Sequence, residues 1–285
     1  VLISNLFSQI MSMTQSGQGG LAMTRIEASD GASAEVYLHG AHVTSWKLGD
    51  GDERLFLSPR ADFAAGKAIR GGVPVIFPQF NRVGPLPRHG FARNREWQFV
   101  AVAEGTAMFR LSSNEDTQAI WPARFTADLT VNAHHKTLNL GLAVRNLGEA
   151  PIVFTCALHT YLRVHSIEQV EVAGLAGVTY NDKTLEVHQG VQEGVLLIDR
   201  ETDNIYYNVT EPVVVREPAR ITEVRQTGFT DVVVWNPWTS AAQLADMAPE
   251  GYREMLCVEA AVIGKPVQLE PNAVWAGTQQ LTAVR

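Results

Sequence analysis

The chain has 285 residues, with 23 Lys and Arg against 30 Asp and Glu, and its net charge of -7 argues against a nucleic-acid partner. With 46% hydrophobic and 19% charged residues it has the composition of a soluble globular protein, and it contains no run of about eighteen uncharged apolar residues to cross a membrane. Its two cysteines, Cys156 and Cys257, lie inside apolar runs, which argues against a disulfide framework, and no Cys/His cluster stands at zinc spacing.

The first stretch, Leu2 to Met13, has an apolar spacing (Leu2, Ile3, Leu6, Phe7, Ile10) compatible with one amphipathic helix or a tail. No basic residue precedes Arg25, so a secretory signal's positive region is missing and the cytoplasm is expected. The segment Gln15 to Gly20, QSGQGG, has the composition of a linker. Residues 1–20 are therefore expected to form a flexible extension and residues 21–285 a single domain, a size that large all-β folds commonly reach.

From Leu21 onward, short runs rich in Val, Thr and Leu are cut by turn residues. They cover Ala34 to His39, Val43 to Leu48, Arg54 to Leu57, Trp97 to Ala103, Ala107 to Ser112, Arg124 to Val131 and Thr137 to Val144. Such spacing predicts antiparallel strands. Helical periodicity lasts a turn or two at most, at Ala61 to Gly66 and Ser240 to Met247, and the adjacent His134 and His135 read as a turn. The expected fold is an all-β sandwich of two large, curved antiparallel sheets, with function in the loops and on one concave face.

Four stretches carry chemistry. In Ala68 to Trp97, the arginines Arg70, Arg82, Arg88, Arg93 and Arg95 stand among Gly and Pro around a short strand, Val73 to Phe77. Arginines held in stiff loops of an acidic chain point to a local anion site, although solvated loop arginines would look the same one by one. In Pro151 to Val164, alternation places Val153, Thr155, Ala157, His159 and Tyr161 on one face of a strand. A lone histidine there is more often a hydrogen-bonded core residue than a catalyst, so it needs a partner. Glu259, the one charge in MLCVEAAVI, is a candidate, since a buried carboxylate must be paired or face a cavity and burial raises its pKa toward that of a general base. A structural ion pair is the alternative. The acids Glu201 and Asp203 head the strand-like Asn204 to Val209, and FTDVVVWNPW ends a strand at Asn236 and Pro237 between two Trp rings that could pack in the core or stack on a sugar.

The motifs IRGGVPVIFPQF, LPRHGFARNREW, ALHTYL, ETDNIYYN, DVVVWNPW and MLCVEAA, in this order, resemble those of the glucose-6-phosphate 1-epimerases, a branch of the aldose 1-epimerase (galactose mutarotase-like) superfamily, from about Leu21 to the C-terminus. The resemblance implies the superfamily's large β-sandwich and a site with neither metal nor organic cofactor. It also implies His159 and Glu259 as catalytic groups, and Arg70, Arg93 and Asp203 as substrate-binding. Arg88 stands where similar sequences often have a substrate-binding glutamine, so it is either an added cation for a phosphate or a rim residue. Anomer exchange of a hexose 6-phosphate needs one base and one acid. The expected assignment is ionised Glu259 taking the O1 proton and protonated His159 giving one to O5, with the histidine's pKa raised by Glu259 or Asp203. His89 is expected to play a support role. The rivals are an aldose 1-epimerase for neutral sugars, a glycosidase using Glu259 with Asp203, and a non-catalytic sugar-phosphate-binding module. No partner chain is called for, and a monomer is the default.

Overall fold

Strand formation follows the alternation seen in the sequence. The strand Phe125–His134 buries every second residue, from Phe125 through Ala127, Leu129 and Val131 to Ala133, and Thr137–Asn146 returns beside it with Leu138, Leu140, Leu142 and Val144 buried. These facts come from a computed structural model, which describes residues 14–185 and 189–285. The apolar stretch 2–13 lies outside the described residues.

Among the described residues the strands form three sheets, all of whose ladders are antiparallel. A nine-stranded sheet runs, edge to edge, Leu196–Leu197, Glu171–Ala173, Val213–Arg216, Ile221–Thr227, Val274–Ala283, Thr137–Asn146, Phe125–His134, Thr106–Ser112 and Gln98–Ala103. An eight-stranded sheet runs Gln189–Val191, Thr179–Asp182, Thr202–Tyr206, Asp231–Asn236, Met255–Leu269, Ile152–Leu158 and Val75–Ile76, with Tyr161–Arg163 also paired to Met255–Leu269. A smaller sheet joins Gln15–Ser16, Ala22–Glu27, Ser33–Tyr37 and His42–Lys47. The expected sandwich of two large sheets is thus found, with a third, four-stranded sheet added to it. Gln15 and Ser16 pair with Met23 and Ala22, and the Gln18 amide donates to the Tyr37 hydroxyl (3.0 Å), which ties the described part of the extension to this sheet.

Facing residues of the two large sheets form one core. Phe77, Trp121, Phe125 and Phe154 meet edge-on or tilted at 5.2–5.5 Å between ring centroids. The other face of the eight-stranded sheet carries a second apolar cluster of Ile76, Phe80, Ala157, Ile205, Val233, Ala261 and Ile263. That face holds the candidate site.

Local departures from the sequence expectations have plain causes. Arg54 to Leu57 is not a strand; Leu55 and Leu57 make isolated bridges to Leu162 and Gly71, since each flank bonds to a different neighbour. No helix forms over residues 61–66, and residues 240–247 contribute only to a 3-10 helix, Trp238–Gln243. A helix absent from the expectations, Glu115–Ile120, is a turn and a half held by a reciprocal cap between Asn114 and Thr117.

Candidate active site

The register of the eight-stranded sheet assembles the site. Asp203 lies opposite Trp235, Val233 opposite Glu259, and Ala157 opposite Ala261, so period 2 brings Asp203, Val233, Trp235 and Glu259 to one face. Continuing the pairing of Leu158 with Ala260 would set residue 159 against Glu259. There the strand breaks. The His159 amide donates to the Pro74 carbonyl (3.0 Å), the Val258 amide to the Thr160 carbonyl (3.1 Å), and pairing resumes with Tyr161 opposite Cys257. The register is the same on both sides of the break, so His159 stays opposite Glu259, with its Nε2 3.3 Å from Glu259 Oε1.

A clamp behind the sheet holds this gap. Gln279, fully buried on the opposite sheet, accepts the Thr160 hydroxyl (2.6 Å) and donates to the Val258 carbonyl (3.1 Å). It therefore grips the neighbours of His159 and Glu259 at once. In front, the Tyr161 ring stacks on His159 at 4.9 Å and 11° between planes. Its hydroxyl accepts from Arg70 Nη1 (2.9 Å), while Arg70 Nη2 lies 3.2 Å from Asp246. Arg70 needs the two glycines that follow it. A Cβ on Gly71 (φ +110°) would lie 2.5 Å from the Phe56 carbonyl oxygen, and one on Gly72 (φ +60°) 2.1 Å from that of Val43.

Arg70, Arg88, Arg93, His159, Asp203 and Glu259 all line one cleft, together with Phe80, Asn81, His89, Val233, Trp235 and Leu244. All six residues singled out in the sequence are thus brought together. Arg95 instead faces Asp116 at 3.9 Å, and Arg82 is exposed and does not line the cleft. Trp235 is the cleft tryptophan, whereas Trp238 packs on Tyr252. His89, expected in a support role, also lines the cleft. It sits at φ +65° with Nδ1 accepting the Asn81 amide (3.3 Å), so its proton lies on Nε2, and its ring is 5.8 Å from that of His159. Its place in the motif LPRHGFARN was the available signal.

The electrostatics differ from the expectation in one respect. His159 is not shifted upward: burial, then His89, Arg93 and Arg70, hold its pKa well below the ordinary imidazole value. Burial, then Asp203, pushes Glu259 well above the carboxylate range, with Arg93 opposing. Both directions favour an uncharged pair, with the shared proton on Glu259, because burial disfavours charge separation. Asp203 is raised to about 6, mainly by burial, and His89 is lowered to about 3 by burial and the three arginines. Burial, with repulsion from Arg70 and Arg88, lowers Arg93 to about 10, so it stays cationic at neutral pH but unfavourably so. Among the described residues neither Arg88 nor Arg93 forms an ion pair. Arg88 donates to Asn81 (3.1 Å) and Arg93 to the Arg88 carbonyl (3.4 Å). Among the described residues, His159 Nδ1 and Glu259 Oε2 are buried without a hydrogen-bond partner.

His159, Cys257 and Glu259 place ligand atoms within 4.8 Å of one another, which is a possible metal donor set. The fit is poor, since burial and Glu259 hold the Cys257 thiol protonated, and a metal would occupy both members of the acid/base pair. Among the described residues no helix is long and apolar enough to cross a membrane.

Comparison with known proteins agrees with this architecture. A protein of Cenchrus ciliaris, a candidate glucose-6-phosphate 1-epimerase, is 35% identical over 282 residues, 93% of this chain and 85% of its own. One of Escherichia coli K12 with the same designation is 37% identical over 241 residues, 80% and 79% of the two chains. The crystal structure of a candidate mutarotase from Salmonella typhimurium superposes over 99% of both chains with a TM-score of 0.88 and 29% identity. With the family model for aldose 1-epimerase matching residues 23–282, this chain belongs to the aldose 1-epimerase family.

Proposed function

We propose that the protein interconverts the α and β anomers of a hexose 6-phosphate, glucose 6-phosphate first among them. The observation that carries this reading is a histidine–glutamate pair at 3.3 Å on the floor of a cleft that also holds three arginines, two of them without an ion-pair partner. A cleft for neutral sugars gives this group of cations no purpose. A glycosidase would work with Glu259 and Asp203 flanking a glycosidic bond, which leaves the His159 contact unexplained.

The reaction moves two protons. Glu259 takes the proton on O1 as C1 becomes an aldehyde, and His159 gives a proton to the ring oxygen O5 as the C1–O5 bond breaks. After rotation about C1–C2 the roles reverse: His159 withdraws the O5 proton while O5 attacks the other face of C1, and Glu259 returns its proton to O1. This requires the pair in its charged form, carboxylate with imidazolium, which burial and the neighbouring charges disfavour. The phosphate supplies the missing term, since a dianion against Arg70 and Arg93 cancels the repulsion they exert on an imidazolium. The substrate would thereby prepare its own catalyst. Asp203, ionised, accepts hydrogen bonds from sugar hydroxyls, and Trp235 offers an apolar face to the ring. A monomer and the cytoplasm complete this reading.

The test is saturation transfer by NMR between the α and β C1 protons of glucose 6-phosphate and, separately, of free glucose. Exchange accelerated for the ester alone, weakened in Arg93→Ala and abolished in Glu259→Gln, is expected. Equal acceleration of both sugars would refute the phosphate assignment, and none for either would refute the activity.

A further inference from the structure

Outside the cleft, one cluster of metal-ligating side chains draws on a feature that the reaction does not use, the adjacent histidines His134 and His135. They close the turn between the strands Phe125–His134 and Thr137–Asn146, and both rings point at one carboxylate oxygen from a different sheet. His134 Nδ1 and His135 Nδ1 each lie 3.0 Å from Asp30 Oδ2, and the three ligand atoms all fall within 4.8 Å of one another. Asp30 sits in the turn between Ala22–Glu27 and Ser33–Tyr37. Its carboxylate is fixed before any ion arrives, because Oδ1 accepts the Ala32 amide (2.8 Å) and Oδ2 the His135 amide (2.7 Å). A third turn comes alongside, where Glu104 accepts the Ser29 amide (3.0 Å) and acts on His134 through its charge.

We propose that Asp30, His134 and His135 form a surface site for a divalent transition-metal ion of the Zn2+ type, which clips the turn of the four-stranded sheet to a turn of the nine-stranded sheet. The chemistry suits such an ion rather than Ca2+ or Mg2+, since two of the three donors are imidazole nitrogens. The dimensions suit it as well. Bonds of about 2.0–2.2 Å from a tetrahedral zinc to nitrogen and oxygen put donor atoms about 3.3 Å apart, so the 3.0 Å contacts need to open only slightly. One oxygen can serve both the His135 amide and the metal, as a carboxylate oxygen has two lone-pair directions. Each ring binds through Nδ1 and carries its proton on Nε2. With three protein donors, water completes the coordination. His134 is half-exposed and His135 exposed, which leaves the approach open.

The test uses tag-free protein stripped with a chelator and titrated with Co2+ and Zn2+. One equivalent of Co2+ should produce visible d–d bands without a thiolate charge-transfer band, and Zn2+ should displace it. The missing thiolate band distinguishes this site from the buried set His159, Cys257 and Glu259. At a hundredfold excess of Zn2+ over its Kd, Tm should rise by about 5 °C, whereas Ca2+ and Mg2+ leave it unchanged. His134→Ala and His135→Ala should each raise the Kd at least about tenfold and suppress the Tm rise while leaving glucose 6-phosphate turnover intact. Binding unaltered in both variants, a thiolate band, or no saturation below about 1 mM Zn2+ would overturn the proposal.

Discussion

Gln279 offers the sharpest test of how the fold makes the acid/base pair. It belongs to the nine-stranded sheet, whereas the groups it holds, the Thr160 hydroxyl and the Val258 carbonyl, adjoin His159 and Glu259 on the other. Replacing it by leucine keeps most of the volume and removes both bonds. Thr160 then keeps only a long 3.5 Å contact to the Leu158 carbonyl, and the Val258 carbonyl loses the side-chain donor. Two buried polar groups left short of partners, at about 1–3 kcal/mol each, predict a loss of about 2–6 kcal/mol in urea unfolding. The consequence for turnover follows from the gap between the strands. If it relaxes by as much as 1 Å, the geometry for concerted proton transfer suffers, and kcat should fall by up to about 100-fold with KM changed less than about threefold. The double variant Gln279→Leu with Thr160→Val removes one orphan and should recover part of the stability without recovering kcat. Full kcat in a destabilised Gln279→Leu protein would refute the positioning role, and unchanged stability would refute the hydrogen-bond accounting.

Four other outcomes are expected. Glu259→Gln should lower kcat by roughly two to four orders of magnitude in the NMR exchange assay while glucose 6-phosphate still binds, and His159→Ala should do the same. His89→Ala should cost distinctly less, because a neutral imidazole fixed by Asn81 supports the pair rather than exchanging protons with substrate; an equal loss would undo that division of roles. Arg93→Ala removes charge-assisted contacts worth about 1.5–3 kcal/mol and should reduce kcat/KM for glucose 6-phosphate by about 10- to 150-fold without lowering any slow turnover of free glucose, since it also removes a cation that opposes the imidazolium. Asp203 titrates near 6 in the folded protein against 3.8 ordinarily, so between these values the folded state binds the extra proton and stability falls as pH rises. Asp203→Asn should flatten that slope in chemical unfolding at pH 4–7 and be more stable than the parent at pH 7, although less active.

Much of this site was legible because strands have a strict period. Ala157 and His159 share a face by alternation alone, and the single charge of MLCVEAAVI announced that Glu259 had to be paired or face a cavity. The break at His159 and Thr160 was not legible. A run of apolar residues reads as one strand, whereas the chain leaves the ladder there because the Thr160 amide turns back to the Leu158 carbonyl. Nor could Gln279 be found, since its partners lie 119 and 21 positions away and a glutamine in a strand has no pattern of its own. The protonation of the pair was misjudged for a related reason. Pairing with Glu259 or Asp203 suggested an imidazole raised by its neighbours, but burial and nearby arginines, which only the fold assembles, act in the opposite direction.

That reversal bears on why a phosphate ester should be preferred at all. Binding energy from a group remote from C1 accelerates the reaction only if it is realised in the transition state. In this cleft the arginines oppose the imidazolium that the reaction needs, and Arg93 itself sits at a lowered pKa for want of an anion. A phosphate dianion relieves both conditions, so part of its attraction to Arg70 and Arg93 is converted into a shift of the shared proton from Glu259 to His159. A free hexose fills the same sugar contacts and leaves the pair uncharged. On this basis discrimination between ester and free sugar should be larger in kcat than in KM, and a small dianion such as phosphite, added with free glucose, should restore part of the missing turnover through the same arginines.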